Sequence, residues 1–154
     1  MGLLEKLFGG EKKSDPPSGI SEEQVQMACA ALLLEVAEAD YEEDPNETDV
    51  VLHALKRQWN LDQATVRALL ERAKKETGGA TDLFPYTHLL NQRCGREQKL
   101  AILTSLWRVA LADGELHKYE DQLLRKVTDL LHLDHADFIA AKQTARGEEE
   151  ESSA

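Results

Sequence analysis

Aromatic residues are scarce: Phe, Trp and Tyr together make up 5% of the 154 residues. Sheet cores lean on aromatic and β-branched side chains. No alternating Val/Ile/Thr-rich run stands out, so a strand has no candidate. Basic charge is also short, with 18 Lys and Arg against 29 Asp and Glu and a net charge of −11. A field of that sign repels a phosphate backbone and argues against a nucleic-acid partner. Cysteine is limited to Cys29 and Cys94, neither in a CxxC motif, so a zinc site of that kind is excluded. Cys29 lies among Met27, Ala30 and Leu33 and reads as a core residue. No run approaches the roughly 18–20 apolar residues of a membrane span, and no secretory signal is legible. A reducing cytoplasm is therefore the expected compartment. G-x-S-x-G, GxxxxGK[ST] and GxGxxG motifs are missing, and no acid, base and nucleophile set can be read, so a non-catalytic protein is expected.

What is present is Ala and Leu, within a hydrophobic content of 42%. Both residues lose little rotamer freedom in a helix, and the expected fold class is all-α. Met1 to Phe8 form a short amphipathic piece with Leu3, Leu4, Leu7 and Phe8. Gly9 and Gly10 close it, and a polar stretch with Pro16 and Pro17 reads as a linker. Residues 1–20 are thus expected as a flexible peptide and linker that add little to the core, with peripheral membrane contact through residues 1–8 as an alternative role. A helical domain is expected over 21–146, and a disordered acidic tail over 147–154, where Glu148 to Glu151 have nothing to bury.

Ser21 with Gln24 is a capping-box signature. It opens a helix to about Asp40, with Val25, Ala28, Leu32 and Val36 on one face. Six more helices are expected: Pro45 to Trp59, from after Asp62 to Thr77, a short one after Asp82, Arg96 to Ala112, Lys118 to Leu131, and His135 to Arg146.

The informative feature is an internal repeat. Val36-Ala37-Glu38-Ala39-Asp40-Tyr41-Glu42 reappears as Val109-Ala110-Leu111-Ala112-Asp113-Gly114-Glu115. Glu47 matches Glu120 at the same offset, and Asn60-Leu61-Asp62-Gln63-Ala64 echoes His132-Leu133-Asp134-His135-Ala136. The pattern predicts two pseudo-symmetric halves, each helix, acidic loop, helix, turn, helix.

Two readings of the acidic loops stay open. Glu47 and Glu120 fall at the third position of a helix, where a carboxylate suits the dipole, so they serve as capping residues. Asp40 and Asp113 do not fit that account, because each comes at a helix C-terminus that already presents negative charge. A divalent cation would balance them, since hard cations gather carboxylate and loop carbonyl oxygens. On that reading the ligands are Asp40, Glu47, Asp113 and Glu120, with Glu42 and Glu115 as secondary candidates. An EF-hand is excluded: Pro45 stands where its Gly is required and Val51 where its bidentate Glu must be, with Lys118 and Leu124 at those places in the second loop.

Ala39-Asp40 with Glu47, and Ala112-Asp113-Gly114 with Glu120, resemble the signature of the TerB-like (tellurite-resistance protein B) family over roughly Ser21 to Arg146. Tyr41 departs from the usual Gly in the first copy. The resemblance implies a helical bundle, a metal-binding centre of acidic residues, and a place in stress or tellurite-resistance systems. One relative adjoins a J-domain in a membrane-anchored co-chaperone; with no His-Pro-Asp motif here, that activity does not carry over.

Other groups read blandly. His117 is expected as a cap or solvated residue rather than a ligand, and Cys94 with His88 as no nucleophilic pair. Trp59 and Trp107 are expected in the core. Arg67, Arg72, Lys74 and Lys75 form a basic stretch, either a solvated face or a docking patch. Two functions result: a divalent-cation-binding module, or a metal-independent adaptor that docks a protein partner through helix faces and the N-terminal peptide.

Overall fold

The structure, a computed structural model, describes residues 20–38, 47–77, 82–112 and 118–153. Among these it contains seven helices and no strand: α1 (Glu22–Glu38), α2 (Glu47–Trp59), α3 (Gln63–Thr77), α4 (Phe84–Arg93), α5 (Arg96–Ala110), α6 (Lys118–Leu130) and α7 (His135–Ser153). The all-α expectation holds. The N-terminal apolar residues Leu3, Leu4, Leu7 and Phe8 lie outside the described residues.

Local sequence explains the helix ends. The Ser21 backbone N–H donates to Gln24 Oε1 (2.8 Å) and the Gln24 N–H to Ser21 Oγ (3.1 Å), the reciprocal capping box expected at α1. Asp82 Oδ1 accepts from the Phe84 N–H at 3.1 Å, and Pro85 sits in the first turn of α4, where its missing N–H costs nothing. The repeated turns are alike in detail. Asn60 and His132 both adopt left-handed backbone, with φ of 55° and 61°. Asp62 then accepts from the Thr65 N–H (2.8 Å), and Asp134 from the Asp137 N–H (2.9 Å). These backbone donors hold the Asp62 and Asp134 carboxyls below the usual carboxylate range.

The first helix is the centre of the domain. It packs on α2, α3, α4, α5 and α6. Consequently it is apolar all round rather than amphipathic: Met27, Ala30, Ala31, Leu33 and Leu34 are buried along with the expected face of Val25, Ala28, Leu32 and Val36. Cys29 is buried as expected, and burial pushes its thiol pKa up. At the N-terminal end of α1, Arg93 donates to the Ile20 carbonyl (3.2 Å) and to Glu22 (3.4 Å).

The fifth helix forms a second focus. Ile102, Leu103, Leu106 and Trp107 are fully buried, and Trp107 meets Phe138 of α7 edge-on at 5.2 Å. Trp59 is half-buried and packs against the same core. Arg96 at the head of α5 pairs with Asp137, which is buried in the first turn of α7. The last carbonyls after α6 are also occupied: Asn91 donates to the Leu130 carbonyl (2.8 Å) and Lys99 to the Leu131 carbonyl (2.9 Å).

Packing respects the repeat. Each pairing of α1, α2 and α3 has a counterpart among α5, α6 and α7: α1–α2 with α5–α6, α1–α3 with α5–α7, α2–α3 with α6–α7. The cross-half pairing α2–α5 likewise corresponds to α6–α1.

Three boundaries differ from expectation. α5 ends at Ala110 rather than Ala112; Leu111 and Ala112 form a tighter closing turn, with the Ala112 N–H donating to the Val109 carbonyl at 3.2 Å. α6 ends at Leu130, and α7 continues past Arg146 to Ser153. The acidic run expected as a disordered tail is therefore helical to Ser153, in keeping with the good intrinsic helix propensity of Glu. Gly147 lies inside this helix, and a Cβ there would meet nothing within 4 Å. Gly147→Ala should raise stability by about 0.4–1 kcal/mol, read as a higher denaturant midpoint with an unchanged slope.

Candidate metal centre

The two acidic loops leave the C-terminal ends of α1 and α5 and enter α2 and α6. Asp40, Glu42, Asp113 and Glu115 lie outside the described residues, as does His117. Glu47 opens α2, but its side chain is also outside what is described. Glu120 is the one expected ligand whose side chain is placed. It stands in the first turn of α6 and is 4% exposed. A surface capping role asks for no such burial; a buried carboxylate needs compensation by charge or hydrogen bonds, and Glu120 has an interaction partner within the protein. Among the described residues, no group of three or more His, Cys, Asp and Glu comes together to hold a metal ion.

The ends of the two halves nevertheless meet. A mostly apolar groove of about 450 Å³ runs between α2 and α5. Asp49, Val50, His53, Ala54 and Arg57 form its α2 wall. Arg108, Val109 and Ala112 form the opposite wall. Thus the first turn of α2, which Glu47 opens, lies across from Ala112, the residue that precedes Asp113. The helices run in opposite senses here, because Ser105 donates to Gln58 Oε1 (2.6 Å) at the other end of the groove.

The counterpart contact between α1 and α6 is chemically different. Glu35 corresponds in the repeat to Arg108, and Lys126 to His53. Burial raises the Glu35 pKa, the Glu38 carboxylate raises it further, and Lys126 opposes both. The C-terminal end of α1 thus already carries unfavourable negative charge before Asp40 is reached.

The remaining candidates follow the bland readings. Cys94 is buried and outside any disulfide, and burial raises its pKa; His88 instead stacks on Phe84 at 5.2 Å. In the basic stretch of α3, Arg72 pairs with Glu23 (2.6 Å) and Glu76 (3.7 Å), while Arg67 and Lys75 are exposed. The part-buried links that hold α5 to its neighbours, Arg96 with Asp137 and Ser105 with Gln58, have no local sequence signal, since their partners are far apart in the chain.

The sequence model for tellurite resistance protein TerB matches residues 26–143. No curated protein sequence matches the chain significantly. Among solved structures, a protein of unknown function from Porphyromonas gingivalis W83 is similar, with a TM-score of 0.63 at 18% identity. The likeness covers 95% of this chain and 99% of that one, and at this identity it speaks to the fold alone.

Proposed function

Because the chain belongs to the TerB family, we propose that it is a non-catalytic, divalent-cation-binding helical module of a stress or tellurite-resistance system. The single observation that carries this reading is Glu120, a carboxylate buried at the head of α6 in the second copy of the repeated acidic motif. The juxtaposition of the α2 start with Ala112 supports it, since ligands from both loops then come from neighbouring helix ends. Asp40, Glu47, Asp113 and Glu120 supply the oxygens, and Glu42 and Glu115 complete the shell. Carboxylate ligands suit a hard cation. The protein's own contribution is to hold like charges together, a repulsion that bound metal relieves.

Thermal melts of the full chain test the proposal, in chelator and with Ca²⁺, Mg²⁺, Mn²⁺ or Zn²⁺. Bound metal should stabilise by about 2.7 kcal/mol at a hundredfold excess over Kd. The double change Asp40→Asn with Asp113→Asn should abolish that gain while preserving or raising the midpoint in chelator. If no metal at millimolar concentration moves the wild-type midpoint, the cation reading is wrong. The adaptor reading then stands, and it has a feature of its own: Phe84 and Tyr119 are large apolar side chains left 55% and 46% exposed. In that case Glu47→Gln and Glu120→Gln should have modest, metal-independent effects, because Gln still completes a capping box.

A further inference from the structure

We infer that the N-terminal peptide, residues 1–8, docks in cis in the groove between α2 and α5, with Leu3, Leu4, Leu7 and Phe8 turned into it. This docking is independent of the cation reading, and it departs from the expectation that residues 1–20 add little to the core.

The repeat leaves one place unfilled. The α5–α2 junction corresponds to the α1–α6 junction, and there the equivalent seat is taken. The α1–α6 pair shares two neighbours, α5 and α4, and α4 lies across the junction. Among the described helices, the α5–α2 pair shares only α1, the counterpart of α5. At one end of the covered junction the Asn91 side chain donates to the Leu130 carbonyl at 2.8 Å. At the other, Tyr86 lies within electrostatic reach of α1: burial raises its pKa, and the Glu76, Asp82 and Glu35 carboxylates raise it further. Leu130 and Glu35 are the repeat counterparts of Arg57 and Arg108, which border the groove. Val50 shows the difference in cover: it is only partly buried, whereas its counterpart Leu123 is buried.

Chain order names the occupant. α4 is the segment that leads into α5, and the segment that leads into α1 is the N-terminal peptide with its linker. The apolar patterns agree. α4 packs Tyr86, Thr87 and Leu90 inward, with Thr87 and Leu90 buried. Leu3, Leu4 and Leu7 repeat that spacing, and Phe8 extends the same face. A segment this short does not hold a helix alone, so its apolar face needs a surface to pack on. Val50, Ala54 and Val109 offer one, in a mostly apolar groove of about 450 Å³.

Reach permits the docking. Residues 9–19 extend to about 36 Å at most. The 17-residue α1 is about 26 Å long, and it packs on both walls of the groove. The peptide can therefore reach any part of the groove from the start of α1. A flexible tether gives an effective concentration on the order of millimolar, so in micromolar protein the chain's own peptide outcompetes that of a second copy.

The test uses the full chain carrying Gly2→Cys, labelled there with a nitroxide; Cys29 and Cys94 are buried and leave the new thiol as the accessible one. ¹H–¹⁵N spectra are recorded in chelator before and after the nitroxide is reduced. Broadening should concentrate on the amides of Val50, Ala54 and Val109. It should be lost when Leu4→Glu and Leu7→Glu are introduced together, because two charges do not enter an apolar groove. Ala112→Trp probes the opposite partner: Ala112 is exposed on the groove wall, so bulk there should displace the peptide and leave the domain folded. An equal mixture of labelled ¹⁴N protein and unlabelled ¹⁵N protein should show no broadening in the groove. Broadening in that mixture would assign the occupant to a second copy and overturn the inference. So would broadening that is absent or centred elsewhere, or groove broadening that survives either the peptide changes or Ala112→Trp in folded protein.

Discussion

Replacing Trp107 by Ala should destabilise the domain by about 3–5 kcal/mol, the upper range for a buried residue. In thermal melts that is a drop on the order of 10 °C. The side chain is fully buried, its ring meets Phe138 at 5.2 Å, and the Lys142 ammonium lies 5.2 Å from its ring centroid. Truncation removes both contacts and leaves a void that close-packed neighbours only partly fill. The control is Trp107→Phe. Among the described residues the buried indole Nε1 has no hydrogen-bond partner, so losing that donor carries no penalty and relieves a desolvation cost. Trp107→Phe should therefore cost much less than the alanine change, and less than its lost volume alone suggests. Equal losses for the two variants would show that the aromatic packing on Phe138 contributes little.

The second large effect belongs to α1. Leu32→Ala should cost about 2–5 kcal/mol, since Leu32 is fully buried on a helix packed from several sides. The opposite change at a small position on the other face should also hurt: Ala30→Leu overfills a site that is 0% exposed, at about 1–3 kcal/mol. An amphipathic surface helix would tolerate the second change on its outer face. Urea melts of both variants decide it, and a neutral Ala30→Leu would contradict the central placement of α1.

That central placement was only half legible from sequence. The spacing of Val25, Ala28, Leu32 and Val36 marks a helix with one apolar face, and those four residues are buried. The burial of Met27, Ala30, Ala31 and Leu34 is a tertiary fact, because a periodic reading assigns a helix one core side while α1 has several. Signals that span a few residues were readable. The Ser21–Gln24 box and the Asp82 turn before Pro85 appear as their spacing implies. The repeat located the like turns at Asn60 and His132, but their shared left-handed backbone has no side-chain signal as direct as glycine.

The candidate site divides in the same way. The motif pointed to Glu120 as a helix-head carboxylate, yet burial depends on what packs over it from elsewhere. The other expected ligands fall on or beside residues outside the description. The groove was not legible, since Val50 and Ala54 gain meaning only beside Val109, some fifty residues on, and only because α2 packs on α5. Helix-end positions also shifted where a local competitor won, as when a tighter turn at Leu111 and Ala112 stopped α5 short.

The position of α1 in the chain has a consequence for synthesis. On the ribosome it emerges before the helices that cover it, and α5 and α6 follow only after α2, α3 and α4 have been made. During that interval a nascent segment of almost unbroken apolar surface has no native partner, the condition under which incomplete chains associate with one another or engage chaperones. Its docking on α2 and α3 brings together neighbours in sequence, whereas burial against α5 and α6 requires distant ones. The completed fold thus depends on late-arriving chain to shield early-arriving chain, and release from the ribosome before α6 is made would leave the most apolar of the described helices incompletely covered.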